Sequence, residues 1–161
     1  MLPGLWGGLG LQANYTYIDS DGVPNVGAEN TTDSGLPEGV PTVDVSGLGL
    51  PGLSEHTYNL VAFWETDTIS TRLAYNYRSE YTLTTRDVIY PYTPIIHAPT
   101  GQLDFSFFYN FSNGLKLGVQ AVNLTDEVTE TRTVINEDYD WAPRSYFRND
   151  RRYSFILRGT F

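Results

Sequence analysis

The residues best suited to binding chemistry form a short run near the carboxy terminus, Tyr139-Asp-Trp-Ala-Pro-Arg-Ser-Tyr146. Aromatic rings cover the apolar faces of a sugar, while a carboxylate and a guanidinium can form directed hydrogen bonds to its hydroxyl groups. We therefore expect this run to contact a ligand. The candidate ligand-binding residues are Tyr90 and Tyr92, from an earlier segment, and Tyr139, Asp140, Trp141, Arg144 and Tyr146.

Catalytic and metal-binding patterns are weak in comparison. His56 and His97 are isolated in the sequence, and neither belongs to a His-Glu-X-X-His pattern. The sequence lacks a Gly-X-Ser-X-Gly elbow. Asp19-Ser-Asp-Gly22 has the start of a calcium loop but not its third carboxylate or closing Glu. We expect no enzymatic activity, no resident metal and no cofactor.

The composition favours a β-rich chain, because it has many aromatic residues and few charged ones. Of 161 residues, 40% are hydrophobic, 14% aromatic and only 18% charged. The absence of an apolar run of about 18 residues excludes a transmembrane helix. The net charge of -9, with no Lys or Arg before Arg72, makes a nucleic-acid partner improbable. The early acidic residues fit solvated loops, or alternatively cation bridges to a lipopolysaccharide surface.

Six segments alternate apolar and polar residues with period two, as strands with two different faces do. They cover residues 8–17, 58–65, 69–78, 102–110, 115–122 and 152–161. The last one sets Tyr153, Phe155, Leu157 and the terminal Phe161 on one face, which is typical of the closing strand of an outer-membrane barrel. A half-buried edge strand of a soluble sandwich is the alternative for this segment alone.

The connections between these segments alternate in length. Glu65–Thr68 and Phe111–Gly114 are tight turns, whereas Ser20–Ser54, Tyr81–Thr100 and Thr125–Asp150 are long. Outer-membrane barrels place short turns on the periplasmic side and long loops outside. The pattern predicts an all-β fold, namely about six strands of a larger transmembrane antiparallel up-and-down β-barrel. We expect the first long connection, rich in Gly and Pro, to be irregular and mobile.

Alternation also predicts which side chains meet lipid and which meet the lumen. The outward set is Tyr15, Tyr58, Leu60, Leu73, Tyr75, Phe105, Phe107, Leu117, Val119, Phe155 and Leu157. The inward set is Gln12, Asn59, Arg72, Asn76, Asp104, Ser106, Gln120, Ser154 and Arg158. Loop aromatics such as Trp141 and Tyr146 can belong instead to the aromatic belt at the outer interface.

Several motifs, in this order, resemble the late barrel strands of TonB-dependent outer-membrane receptors. They are Gly8-Leu-Gly-Leu-Gln-Ala-Asn-Tyr-Thr-Tyr17, Leu50-Pro-Gly-Leu-Ser-Glu-His-Thr-Tyr-Asn-Leu60, Tyr75-Asn-Tyr-Arg-Ser79, Gly101-Gln-Leu-Asp104, Asn123-Leu-Thr-Asp-Glu127 and Arg151-Arg-Tyr153. The resemblance covers nearly the whole chain. One departure is Asp150, at a position where the family commonly has Gly.

The resemblance implies a barrel of about 22 strands with a plug in its lumen, in the bacterial outer membrane. It implies energised uptake of a scarce nutrient, carbohydrate or siderophore-like, through a periplasmic TonB partner. Residues 1–161 would be the carboxy-terminal portion of the barrel without the plug. The expected partners are outer-membrane lipid, lipopolysaccharide and the barrel-assembly machinery, which would read Tyr153, Phe155, Leu157 and Phe161 as its signal.

Two other functions remain open on the sequence. A passive porin-like channel would have the same wall without a plug or coupling segment. A soluble β-rich adhesin or lectin domain would have similar strands but no need for detergent. An oligomeric barrel assembled from several short chains is an alternative to a fragment of one long chain.

Overall fold

The computed structural model describes residues 7–20, 43, 45, 47–136, 138 and 140–159. The described residues form ten β-strands in two antiparallel sheets. None of them forms a helix long and apolar enough to cross a membrane. The strands are β1 Leu9–Tyr17, β2 His56–Glu65, β3 Ile69–Arg78, β4 Tyr81–Thr84, β5 Ile95–His97, β6 Thr100–Asn110, β7 Leu115–Val122, β8 Val128–Val134, β9 Trp141–Arg148 and β10 Arg152–Gly159.

The larger sheet has the order β1-β2-β3-β6-β7-β10. These are the six segments found by alternation, each paired with the next, so the predicted up-and-down order is confirmed. Their lengths run from 8 to 11 residues, and β7 has the same bounds as the segment predicted from the sequence. Within the described chain the two outermost strands, β1 and β10, each have a single neighbour, so the barrel is not closed by these residues.

The strand register confirms the division into two faces. Directly paired residues of an antiparallel sheet point to the same side. Leu60 pairs with Tyr75, and Phe107 with Val119, all from the apolar set. No registered pair in the larger sheet joins a residue of the outward set to a residue of the inward set. The apolar face is exposed, with exposed fractions of 81% for Leu11, 83% for Phe155 and 70% for Leu157. An exposed apolar face of this kind is suited to contact with lipid.

Both tight turns form where the sequence places them. Residues 66–68 connect β2 to β3, and residues 111–114 connect β6 to β7. Gly114 has a φ of 81°, the left-handed conformation for which the Asn-Gly pair is suited. Both turns lie at one end of the sheet. We call the other end, where β1, β3 and β7 end and β2, β6 and β10 begin, the rim.

The second sheet, with the order β4-β5-β8-β9, was not predicted. It is built from the two later long connections, and its strands follow those of the wall in the same order: β4 continues β3, β5 leads into β6, β8 follows β7 and β9 leads into β10. The long connections are therefore an extension of the wall beyond the rim. The first long connection, which the sequence predicts to be irregular and mobile, lies mostly outside the described residues.

Most of the buried side chains lie in the rim sheet and in the connections next to its strands. Val134 and Thr93 are fully buried, and Ile96 is nearly so. Thr93 and Thr133 share a hydrogen bond of 2.8 Å in this core. In the larger sheet Ala121 is the one buried hydrophobic residue among those described. The wall depends on its surroundings for stability, whereas the rim sheet has a small core of its own.

Candidate functional site

Three of the sequence motifs meet at the rim around Asn123, which is buried. The Asn123 backbone N–H donates to the Asp104 carboxylate at 2.9 Å, which joins β7 to β6. Its side-chain oxygen accepts the Glu127 N–H at 2.8 Å, and its amide nitrogen donates to the Asp150 carbonyl at 3.2 Å. Thr125 adds a hydroxyl bond of 3.0 Å to the Gly101 carbonyl. These residues fix the wall where the rim sheet begins.

Left-handed backbone conformations mark the same place. Asn123, Asp126 and Asp150 have φ values of 60°, 54° and 53°. Glycine adopts this conformation at the least cost, followed by Asn and Asp. The geometry explains why a Gly suits position 150, where this chain has Asp.

A row of side-chain amides crosses the polar face just below the rim. Asn14 pairs with Asn59, Asn59 with Asn76, and Asn76 with Gln102, so the four lie on neighbouring strands at one level. We call them the amide row. Asn59 and Asn76 line a cavity of about 420 Å³ that opens at the rim, and a second cavity of about 440 Å³ that continues along the polar face.

Three flat groups stack beside the upper cavity. The Arg78 guanidinium lies 3.8 Å from the ring centre of Tyr81, and the Tyr81 and His97 rings stack at 4.7 Å. Arg78 also donates to the Ser54 hydroxyl at 2.6 Å and to the Gly52 carbonyl. These contacts fix the position of the guanidinium, which keeps its positive charge. Tyr81 and His97 line the cavity and provide it with flat surfaces.

An ion pair ties the two later connections together. Asp87 is buried, and its carboxylate accepts the Arg144 Nε–H at 2.8 Å and the Val88 and Ile89 N–H groups at 2.7 and 3.3 Å. Burial alone raises the pKa of the Asp87 carboxyl, but the hydrogen bond from Arg144 and the two backbone bonds outweigh it, so the net pKa is lowered. We call this pair the loop clamp.

The strand β9 explains how Arg144 reaches Asp87. The β8–β9 register shifts between Thr131, which pairs with Ser145, and Arg132, which pairs with Pro143. Arg144 is the extra residue of this bulge, and bulges redirect a side chain out of the regular alternation. The structure thus gives Arg144, a candidate ligand contact, an internal partner.

The other candidate contacts are spread out along the rim sheet. Asp140 accepts a bond of 2.8 Å from the Asn136 amide in the β8–β9 turn. Trp141 is 43% exposed and lines a depression with Tyr81, whereas Tyr146 lies five residues further along β9, about 16 Å away. The exposed Tyr90 meets Tyr92 edge to face at 6.3 Å. Tyr139 lies outside the described residues, as does Phe161.

Two further ion pairs lie in or beside the rim sheet. Glu130 and Arg132 lie on the same strand and pair at 2.8 Å, and the Arg132 hydrogen bond lowers the pKa of the Glu130 carboxyl. Arg148 pairs with Asp126, and that hydrogen bond likewise lowers the pKa of the Asp126 carboxyl. Among the residues that the structure describes, no three His, Asp or Glu side chains cluster as metal ligands do.

Sequence reasoning missed the amide row because its members are far apart in the chain. Asn14 is 45 residues from Asn59 in the sequence. The signal was present in the alternation, because Asn59 and Asn76 were both assigned to the inner face. The sequence does not give the strand register that places Asn59 and Asn76 at one level with Asn14 and Gln102.

An open antiparallel wall with one continuous apolar face, a polar inner face and short turns at one end is a segment of a transmembrane β-barrel. The family model described as "TonB dependent receptor-like, beta-barrel" matches residues 2–124. The chain belongs to this family of outer-membrane receptors and transporters, which is not an enzyme family and works with TonB. No curated protein and no solved structure matches the chain significantly.

Proposed function

We propose that residues 1–161 form the carboxy-terminal part of the barrel wall of a receptor that takes up a scarce nutrient with energy from TonB. The nutrient is a carbohydrate or a siderophore-like compound, and the rim faces the outside of the cell. An unpaired strand edge is not tolerated in lipid, so β1 and β10 are expected to pair with further strands of the complete wall.

The observation that carries this proposal is the polar cavity at the rim. It is lined by Asn59, Asn76, Tyr81 and His97, and it opens onto the inner face of the wall. Ligand sites combine flat apolar surfaces with a few well-placed polar groups, as this cavity does. Trp141, which lines the neighbouring depression, is the candidate contact from β9 that this position supports best.

Uptake by cells that express the full-length receptor tests the function. Radiolabelled maltohexaose, xylohexaose and ferric enterobactin serve as probes, and cells without the receptor give the background. We expect receptor-dependent uptake of at least one probe, lost when TonB is deleted or a protonophore is added. Uptake that persists without TonB would establish the passive channel instead.

We also propose that the apolar face of β10 is read during assembly. Tyr153, Phe155 and Leu157 share that face and are 57%, 83% and 70% exposed. Deleting Phe161 from the full-length receptor should reduce the heat-resistant folded form in outer-membrane fractions while secretion to the periplasm continues. Normal assembly without Phe161 would leave it as an interface anchor only.

A further inference from the structure

We propose that the amide row, Asn14, Asn59, Asn76 and Gln102, is a binding site for an uncharged, hydroxyl-rich ligand such as an oligosaccharide. The inference rests on the proposed receptor function and narrows it. It also places recognition on the inner wall rather than on the loop residues singled out from the sequence.

The geometry provides an extended site. Directly paired residues of neighbouring strands lie about 5 Å apart, so three successive pairs carry the row across about 14 Å of wall. A single small ion would touch one or two of these groups. An extended chain of sugar rings can contact all of them.

Hydrogen-bonding capacity in the row is largely unused. Gln102 donates to the Asp104 carboxylate at 2.8 Å. The side chains of Asn14, Asn59 and Asn76 form no hydrogen bond with any residue that the structure describes. Each carboxamide offers donors and an acceptor, and a hydroxyl group needs both. The row therefore suits a ligand whose surface consists of hydroxyl groups.

The charges around the row are mixed. Arg78, one level above Asn76, is positive, and its partners Ser54, the Gly52 carbonyl and the Tyr81 ring are uncharged. Asp104, one level below, is negative. Arg72, two levels below Asn76, lines the second cavity together with Asn59 and Asn76. The four side chains of the row itself carry no charge and suit a neutral ligand, whereas an anion such as a ferric catecholate would be bound through Arg72 and Arg78.

Two small patches of apolar and aromatic surface adjoin the centre of the row. Val61 and Ala74 pair directly beneath Asn59 and Asn76, and the Tyr81–His97 stack lies above them. Sugar rings present C–H faces as well as hydroxyl edges, and these patches can cover the C–H faces.

Affinity measurements on the purified full-length receptor test the inference. A neutral glycan array identifies the best oligosaccharide, and titration calorimetry then compares it with ferric enterobactin. We expect Asn59→Ala and Asn76→Ala each to weaken oligosaccharide binding about five- to tenfold, the loss of one or two hydrogen bonds. Ser154→Ala is the matched control and should change affinity less than twofold, because Ser154 lies on the same polar face, at the level of Gln120, but lines neither cavity.

Three results would overturn the inference. One is that no neutral glycan binds; another is that the row variants leave glycan affinity unchanged. The third is that they weaken only ferric enterobactin, which would leave the receptor function intact and assign it an anionic ligand. If the second result is accompanied by a lower unfolding temperature, the row contacts polypeptide in the lumen and not a ligand. Loss of TonB-dependent uptake for every probe would instead refute the receptor function itself.

Discussion

Replacing Asp87 by Asn should loosen the rim sheet where the loop clamp holds it. The change keeps the side-chain shape but removes the charge that Arg144 and the Val88 and Ile89 N–H groups bind. A hydrogen bond to a charged group contributes about 1.5 to 3 kcal/mol, and the side chain of Asp87 is 6% exposed, so solvent replaces little of it. We expect local opening of residues 87–93 to become easier by about 2 kcal/mol, which is about thirtyfold.

Native-state hydrogen exchange measures this opening directly. The Asp87 N–H donates to the Thr93 carbonyl at 3.0 Å and the Tyr92 N–H to the Ile89 carbonyl at 2.8 Å, so both amides report on the segment. Arg144→Ala should accelerate the same amides. Arg132→Ala is the matched control, because its partner Glu130 lies on its own strand. Equal protection of these amides in the Asp87 variant and the unchanged protein would refute the clamp.

The sign of the pH dependence follows from the lowered pKa of Asp87. A carboxyl whose pKa is lower in the folded state contributes stability above its unfolded pKa, about 3.9. That contribution is lost as the pH falls through the folded pKa, which lies lower still. Protection of residues 87–93 should therefore hold at neutral pH and fall below about pH 4, and Asp87→Asn should remove this dependence.

Three further predictions concern the wall and are checked by denaturant unfolding of the full-length receptor in lipid vesicles. Asp150→Gly should stabilise by up to about 1 kcal/mol, since φ is 53° there; a loss would contradict it. Gly118→Ala should cost about 1 to 3 kcal/mol, because its Cβ would lie 2.3 Å from the Phe108 ring. Val119→Arg should cost about 2 to 4 kcal/mol and the adjacent Gln120→Arg much less; equal costs would reverse the assignment of faces.

The wall was predictable because its alternation is long and regular. In β6, Leu103, Phe105 and Phe107 alternate with Gln102, Asp104 and Ser106. A strand that faces lipid on one side and the aqueous lumen on the other requires this alternation of apolar and polar residues. Tight turns fix the neighbours of four strands at once. The other three pairings join strands across the long connections, and the up-and-down order of outer-membrane barrels predicts them.

The rim sheet was not predictable by the same reasoning. β5 has three residues and β4 four, too few for a period to show. β9 contains Pro143 and a bulge at Arg144, which break the alternation where it would otherwise have appeared. These strands are held by contacts between distant segments, such as the pairing of Ile96 with Arg132, and by burial of Val134. Such contacts leave no local signal.

The two sheets contribute different properties to the proposed binding site. The wall has little core of its own, and on its inner face the side chains of Asn59 and Asn76 have no hydrogen-bond partner among the described residues. The rim sheet has its own core and the loop clamp, so it keeps Tyr81 and His97 in place above them. A binding site needs both exposed hydrogen-bonding groups and fixed positions for them. Here the wall contributes the groups and the rim sheet the fixed position.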